Sequence, residues 1–178
     1  MLKIRSSKKF FPLIFSLISI GILALIISGI KKTGYHITYS ATASMPRGFY
    51  LIIPTKKIAR HDIVEFIPPS NVRDLIKEQH WTPDSGLIIK YVFAIPKDHV
   101  CIKNQIVWVN GKKVSHVYKS YAKNKPLPQA RICNKLKENQ YLLLSTKSDR
   151  SFDSRYFGVV SSQEILGRAV PIFTYNTN

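Results

Sequence analysis

The segment ATASMPRGFY, residues 41–50, sets a serine beside a rigid turn. Pro46 fixes its own φ and pushes Met45 toward extended geometry, while Gly48 admits conformations closed to other residues. Ser44 therefore stands where Oγ and a backbone N–H can face one point, although the same residues also suit a plain turn or capping serine. Lys90 is the second candidate. In GLIIKYVFAIP it interrupts a run of Leu, Ile, Val and Phe, so its amine either snorkels to a rim or loses its charge. A neutral, desolvated lysine is a general base for a serine hydroxyl. The third cluster, STKSDRSFDSRYFG at 145–158, carries Ser151, Asp153 and Arg155. Asp153 and Arg155 can fix the loop as an ion pair and Ser151 can hydrogen-bond a neutral amine; read alone, the stretch is a polar turn. The five histidines, at 36, 61, 80, 99 and 116, show no metal-binding spacing and none is marked for a triad.

Each of these residues needs an element to hold it. Beyond residue 30 the chain alternates short apolar runs with turn residues: GFYLIIP, DIVEFIP, GLIIKYVFAIP, HVCIKNQIVWVNGKKV, QYLLLST and YFGVV. Val, Ile, Tyr and Phe bounded by Pro, Gly and Asn predict strands. In VWVNGKKV, Asn110 and Gly111 give the two-residue type I′ hairpin signal. NVRDLIKEQHW, residues 71–81, instead sets Val72, Leu75, Ile76 and Gln79 or His80 at helical spacing, with Pro69 and Ser70 before it and Pro83 after it. That predicts a short helix inserted between strands. KSYAKNKPLPQARIC, rich in Lys and Pro, predicts a loop. The result is a mainly β domain of the kind that closes into small barrels or packed sheets.

The chain of 178 residues carries 27 Lys and Arg against 10 Asp and Glu. Its length suits one folded domain plus an anchor. The basic excess points to nucleic acid, an anionic membrane surface or acidic partners. Its charges are scattered, without a basic block or a nucleic-acid signature, which favours a solvated, membrane-adjacent face. Residues 10–30, FFPLIFSLISIGILALIISGI, are 21 residues without a charge. At about 1.5 Å per residue they span a hydrocarbon core of about 30 Å, which predicts a transmembrane anchor. A cleaved signal peptide is the competing reading, but its apolar region runs about 7–15 residues to a small-x-small site, and here Lys31 and Lys32 follow directly. Lys3, Arg5, Lys8 and Lys9 place residues 1–9 in the cytoplasm and 31–178 outside. Cys101 and Cys133, 32 positions apart, make one bridge in an oxidising compartment or remain two separate buried thiols.

TASMP, IIKYVFAIPKDHV and SDRSFDSRYFGVV occur together and in order. They resemble the boxes of signal peptidase I, whose members use a serine and lysine pair. Ser-Met-Pro-x-Gly-x-Tyr, here Ser44 to Tyr50, is closer to the conjugative-transfer branch, the TraF-type peptidases that mature the pilin of plasmid transfer systems. VWVNG matches a further strand and hairpin. The resemblance covers most of residues 31–178, with DSRYFG its most specific piece. It implies a signal-peptidase-like β-barrel or sheet domain, with residues 69–84 as a branch-specific cap insertion. It further implies Ser44 as nucleophile, Lys90 as general base, and the Ser44 N–H with the Thr42 hydroxyl as the oxyanion hole. Ser151 falls on the lysine-orienting serine. Asp153 and Arg155 fall on a structural ion pair, Asp153 also being considered a participant in catalysis in the conjugative branch. Two turns depart from the pattern: the usual Gly-Asp-Asn reads Ser145, Thr146, Lys147, and the usual Pro-Gly-Asp reads Pro96, Lys97, Asp98.

What the resemblance implies is a serine endopeptidase of the bacterial inner membrane, single-pass, with a periplasmic catalytic domain. Neither a cofactor nor a metal is expected, and nucleic acid is not an expected partner. Expected partners are the lipid bilayer, a membrane-anchored propilin or preprotein substrate, and components of a conjugation or type IV secretion apparatus. The acyl-enzyme is released by water, or by the substrate's own amino terminus to give a cyclic product. The alternative class is a catalytically inactive bitopic scaffold of such an apparatus, against which the joint presence of Ser44, Lys90 and Ser151 weighs. A DNA-handling subunit is disfavoured by the topology.

Overall fold

The computed structural model describes residues 11–82, 86–123, 125–145 and 147–175. Phe10, the four basic residues before it, Pro83 and Thr146 fall outside that description. The chain divides into two compact units, Met1–Tyr35 and His36–Asn178. In the first, Phe11–Lys32 forms one α-helix of 22 residues, α1, where a helix is expected over 10–30. Its side chains from Pro12 to Leu25 are exposed; those of Phe11, Ile26, Ile27, Ile30 and Lys31 lie outside the description. Among the described residues no helix is long and apolar enough to cross a membrane.

The second unit is mainly β. Its larger sheet has seven antiparallel strands. They are β1 (His36–Ser40), β2 (Arg47–Ile53), β13 (Ile165–Tyr175), β3 (Ile63–Phe66), β4 (Ile88–Ala94), β11 (Gln140–Leu144) and β12 (Val160–Ser161). The closed barrel that the sequence left open is not formed. β1 and the two-residue β12 are edges bonded on one side only, and between β4 and β11 the chain leaves to build a second sheet. That sheet has four strands in the order β10 (Ile132–Lys135), β5 (His99–Lys103), β6 (Ile106–Val109) and β7 (Lys112–His116).

The predicted hairpin joins β6 to β7. Val109 pairs with Lys112, and Asn110 and Gly111 take φ of 49° and 78°, the left-handed pair that a type I′ turn requires. The predicted helix is α2, Ser70–Glu78, which buries Val72 and Ile76 one turn apart. The predicted loop at 119–133 is corrected in part: it contains a small hairpin of β8 (Ser120–Ala122) and β9 (Lys125–Pro126), and its end enters β10. Cys101 and Cys133 are register partners on β5 and β10 and form a disulfide.

The core lies on both faces of β4. Ile88 and Val92 join Val64, Phe66, Val72, Ile76 and Leu143 on one side. Ile89, on the alternate face, packs with Met45, Tyr50, Ile52 and Ala169. A central antiparallel strand covered on both faces reads as a continuous apolar run, which is why Lys90 stands out within it.

Candidate active site

Ser44 is held by the residues after it. Met45 is 2% exposed and packs into the cluster that contains Ile89. Burying one such side chain stabilises by roughly 1.5–3 kcal/mol, and it draws the β1–β2 turn onto the strand that carries Lys90. Tyr50, buried on β2, donates its hydroxyl to the Pro46 carbonyl at 2.8 Å. Gly48 has φ of 137°, and a Cβ there would lie 2.0 Å from the Phe173 carbonyl oxygen. Only glycine permits that approach of β2 to β13.

The turn and β4 bring two side chains together. Lys90 Nζ donates to Ser44 Oγ at 2.8 Å, and Thr42 Oγ1 lies 2.9 Å from the same Oγ. The Ser44 carbonyl accepts from the Ser145 hydroxyl. Lys90 is 4% exposed. Its pKa falls from 10.5 to about 8, first because burial disfavours the ammonium, with Asp153 raising it and Arg155 lowering it. Ile88 and Val92, on alternate positions with Lys90, pack in one core cluster, and Ile89 packs in another.

Behind them lies an ion pair at zero exposure. Asp153 Oδ1 accepts from Arg155 Nε at 2.8 Å and from the Arg155 backbone N–H at 3.2 Å. Oδ2 accepts from Arg155 Nη2 at 2.7 Å and from the Ser145 N–H at 2.9 Å. Arg155 Nη1 also donates to Ser115 Oγ on β7 and to the Asp149 carbonyl, both within 2.9 Å. With four donors on it, the Asp153 carboxylate is fully used in holding the 145–155 loop and α3, Ser154–Phe157. Ser151 is 4% exposed and lines the same cavity as Ser44 and Lys90. Its Oγ has no hydrogen-bond partner, so the expected bond to Lys90 is not made in this state and the hydroxyl stays available.

The arrangement is a hydroxyl against a buried amine of lowered pKa. The model described as signal peptidase, peptidase S26, matches residues 10–174. The chain belongs to that family. It is 32% identical over 148 residues to the plasmid transfer protein TraF of Escherichia coli, covering 76% of this chain and 82% of the relative. It is 29% identical over 170 residues to the conjugal transfer protein TraF of Agrobacterium fabrum, covering 88% and 94%. A probable signal peptidase I-2 of Synechocystis is 31% identical over 112 residues, 62% of this chain and 45% of that protein.

The two departures of this S26 chain from the usual boxes have structural readings. Lys97 takes φ of 76°, the left-handed conformation that a glycine would adopt more readily. The turn holds because Asp98 accepts from Arg60 Nη2 at 2.7–2.8 Å, from Asn110 Nδ2 at 2.8 Å and from the Ile95 N–H at 2.8 Å. Ser145, in place of glycine, uses its hydroxyl to hold the Ser44 carbonyl. The sequence reading missed Ser145 and missed Met45 as the residue that seats the turn. An apolar residue directly after a candidate nucleophile was the available signal for the latter.

Proposed function

We propose that this chain is a membrane-anchored serine endopeptidase in which Ser44 is the nucleophile and Lys90 the general base. The observation that carries this is the 2.8 Å contact between a buried amine of pKa about 8 and a serine hydroxyl. Neutral Lys90 takes the Ser44 proton, Oγ attacks the scissile carbonyl, and the lysine returns the proton to the leaving amine. The Ser44 N–H and the Thr42 hydroxyl hold the developing oxyanion; removing one such donor lowers kcat by about 10²–10³. Ser151, whose hydroxyl lines the same cavity without a partner, is the residue to take up the amine once its contact with Ser44 is broken, and Asp153 with Arg155 fixes the loop that carries it. The charge-free run 10–30 serves as anchor, and the basic residues before it set residues 31–178 outside the cytoplasm.

The names of the two TraF relatives support a substrate within a plasmid-transfer apparatus, such as a membrane-inserted propilin. Water releases a linear product; capture by the substrate's own amino terminus gives a cyclic one. The test incubates the full-length chain in detergent with a precursor bearing an apolar helix and a small-residue site, read by intact-mass spectrometry. Linear and cyclic products differ by one water. Ser44→Ala, Lys90→Ala and Lys90→Arg should each abolish the product, since guanidinium stays charged. Turnover by any of them sinks the assignment. A carboxyl-terminal reporter active only after export should be active, and cytoplasmic activity overturns the topology.

A further inference from the structure

The cleft that contains Ser44 and Lys90 has a volume of about 390 Å³, more room than a small side chain at the scissile bond occupies. Its far wall is not made by the seven-stranded sheet. Trp81, three residues beyond α2, meets Tyr121 of β8 edge-on with ring centroids 5.0 Å apart and meets Phe152 at 4.8 Å. Phe152 in turn stacks on Tyr156 at 5.3 Å and 5°. These four rings come from three separate segments: the residues after α2, the β8–β9 hairpin, and the stretch that runs from Ser151 into α3. All four line the cleft. Trp81, Tyr121 and Phe152 are only half-buried, so apolar ring surface remains open to the cavity. Cations flank this end: the Arg150 guanidinium lies 5.6 Å from the centre of the Tyr118 ring, and Lys125 Nζ lies 5.7 Å from that of Tyr121.

We infer that this wall is a binding subsite for one bulky apolar or aromatic side chain of the substrate, at a position removed from the scissile bond. It is a specificity determinant distinct from the space beside Ser44, and it rests on the reading of Ser44 as nucleophile. An aromatic guest finds edge-to-face and offset partners already in place, and the preformed cluster spares the ordering that a flexible pocket would need. Two of its walls come from segments remote in sequence from Ser44 and Lys90, so substitutions there change the preference without touching the catalytic pair.

The probe is a set of synthetic peptides with an Ala-x-Ala core, flanked by Ala and Ser, in which a single Phe is walked through the flanking positions. With the full-length chain in detergent, Phe at one position should raise kcat/KM roughly tenfold or more, mainly through KM. Trp81→Ala and, separately, Tyr121→Ala should collapse the ratio between that peptide and the all-Ala peptide to within about twofold. Using both variants guards against one that fails to fold. Dissociation constants for the same fluorescently labelled peptides on Ser44→Ala, read by anisotropy, should show the same positional preference. A flat Phe walk overturns the subsite, as does a preference for Asp over Phe or an equal loss on both peptides in both variants. If the parent cleaves no peptide, the peptidase reading fails, and the anisotropy series still decides the subsite.

Discussion

Replacing Lys90 with Met should abolish processing and yet stabilise the domain at neutral pH. Burial lowers the lysine pKa from 10.5 to about 8, and each pH unit corresponds to about 1.4 kcal/mol. The folded state therefore disfavours the ammonium by roughly 3 kcal/mol relative to the unfolded chain. The sign follows from proton binding. Between about pH 8 and 10.5 the unfolded chain holds the proton and the folded one has released it, so the parent gains stability as pH rises through that window. Below about pH 8 the penalty is fully present; above 10.5 it is gone. Met fills similar length without charge and loses one hydrogen bond to Ser44, worth about 0.5–1.5 kcal/mol, while Ser44 keeps its contact with Thr42. The net expectation at pH 7 is a gain of roughly 1–3 kcal/mol. Urea unfolding of both proteins at pH 6.5, 8, 9.5 and 10.5 measures it. The advantage of Met should shrink steadily above pH 8, and kcat/KM of the parent should rise with pH through the same value. A Met variant less stable at every pH, or a difference that does not change with pH, would show that Lys90 is a charged, well-paired structural residue.

Gly48→Ala forces a Cβ against the Phe173 carbonyl and should lose at least about 3 kcal/mol or fail to fold, read by urea unfolding. Asp153→Ala leaves the Arg155 guanidinium buried without its carboxylate and should lose about 3–5 kcal/mol; a loss under 1 kcal/mol refutes the structural role of the pair. Reducing the Cys101–Cys133 bridge, which closes an interval of 32 residues, should lower stability by roughly 3–4 kcal/mol in a titration with and without reductant.

Much of the site was legible because its residues depend on local chemistry. A Lys inside a doubly covered strand, a Ser before Met-Pro-x-Gly, and Asn-Gly between alternating strands each announce themselves within ten residues. Helix α2 was legible from the spacing of Val72, Leu75 and Ile76, of which Val72 and Ile76 are buried, although the helix ends at Glu78 before Gln79 and His80. What was not legible lies in long-range geometry. The hydrogen bond between Lys90 and Ser44 links β4 to the turn between β1 and β2, strands that are not its neighbours in the sheet, and it depends on how Met45 seats against Ile89. Closure into a barrel depends on whether the edges meet, and a two-residue β12 gives no local sign of that. The aromatic wall was invisible for the same reason: Trp81, Tyr121 and Phe152 sit at a helix exit, in a Lys-rich segment and in a polar box, with no shared period.

The Asp153–Arg155 pair explains how one lysine can be both buried and adjustable. Its two charges act on Lys90 with opposite signs, the carboxylate raising and the guanidinium lowering the amine's pKa. Bound to each other at 2.7 Å, they present close to zero net charge, so desolvation decides where the lysine titrates. A lone carboxylate at that place would hold the amine as an ammonium and remove the base. A lone guanidinium would add repulsion to a proton already disfavoured and would itself lie buried without a partner. The pair avoids both outcomes and supplies the Oδ2 that fixes the Ser145 N–H, whose hydroxyl in turn holds the Ser44 carbonyl. The titration of Lys90 and the position of Ser44 thus depend on the same carboxylate. On this reading Asp153 affects catalysis through geometry and charge balance, without a proton transfer of its own.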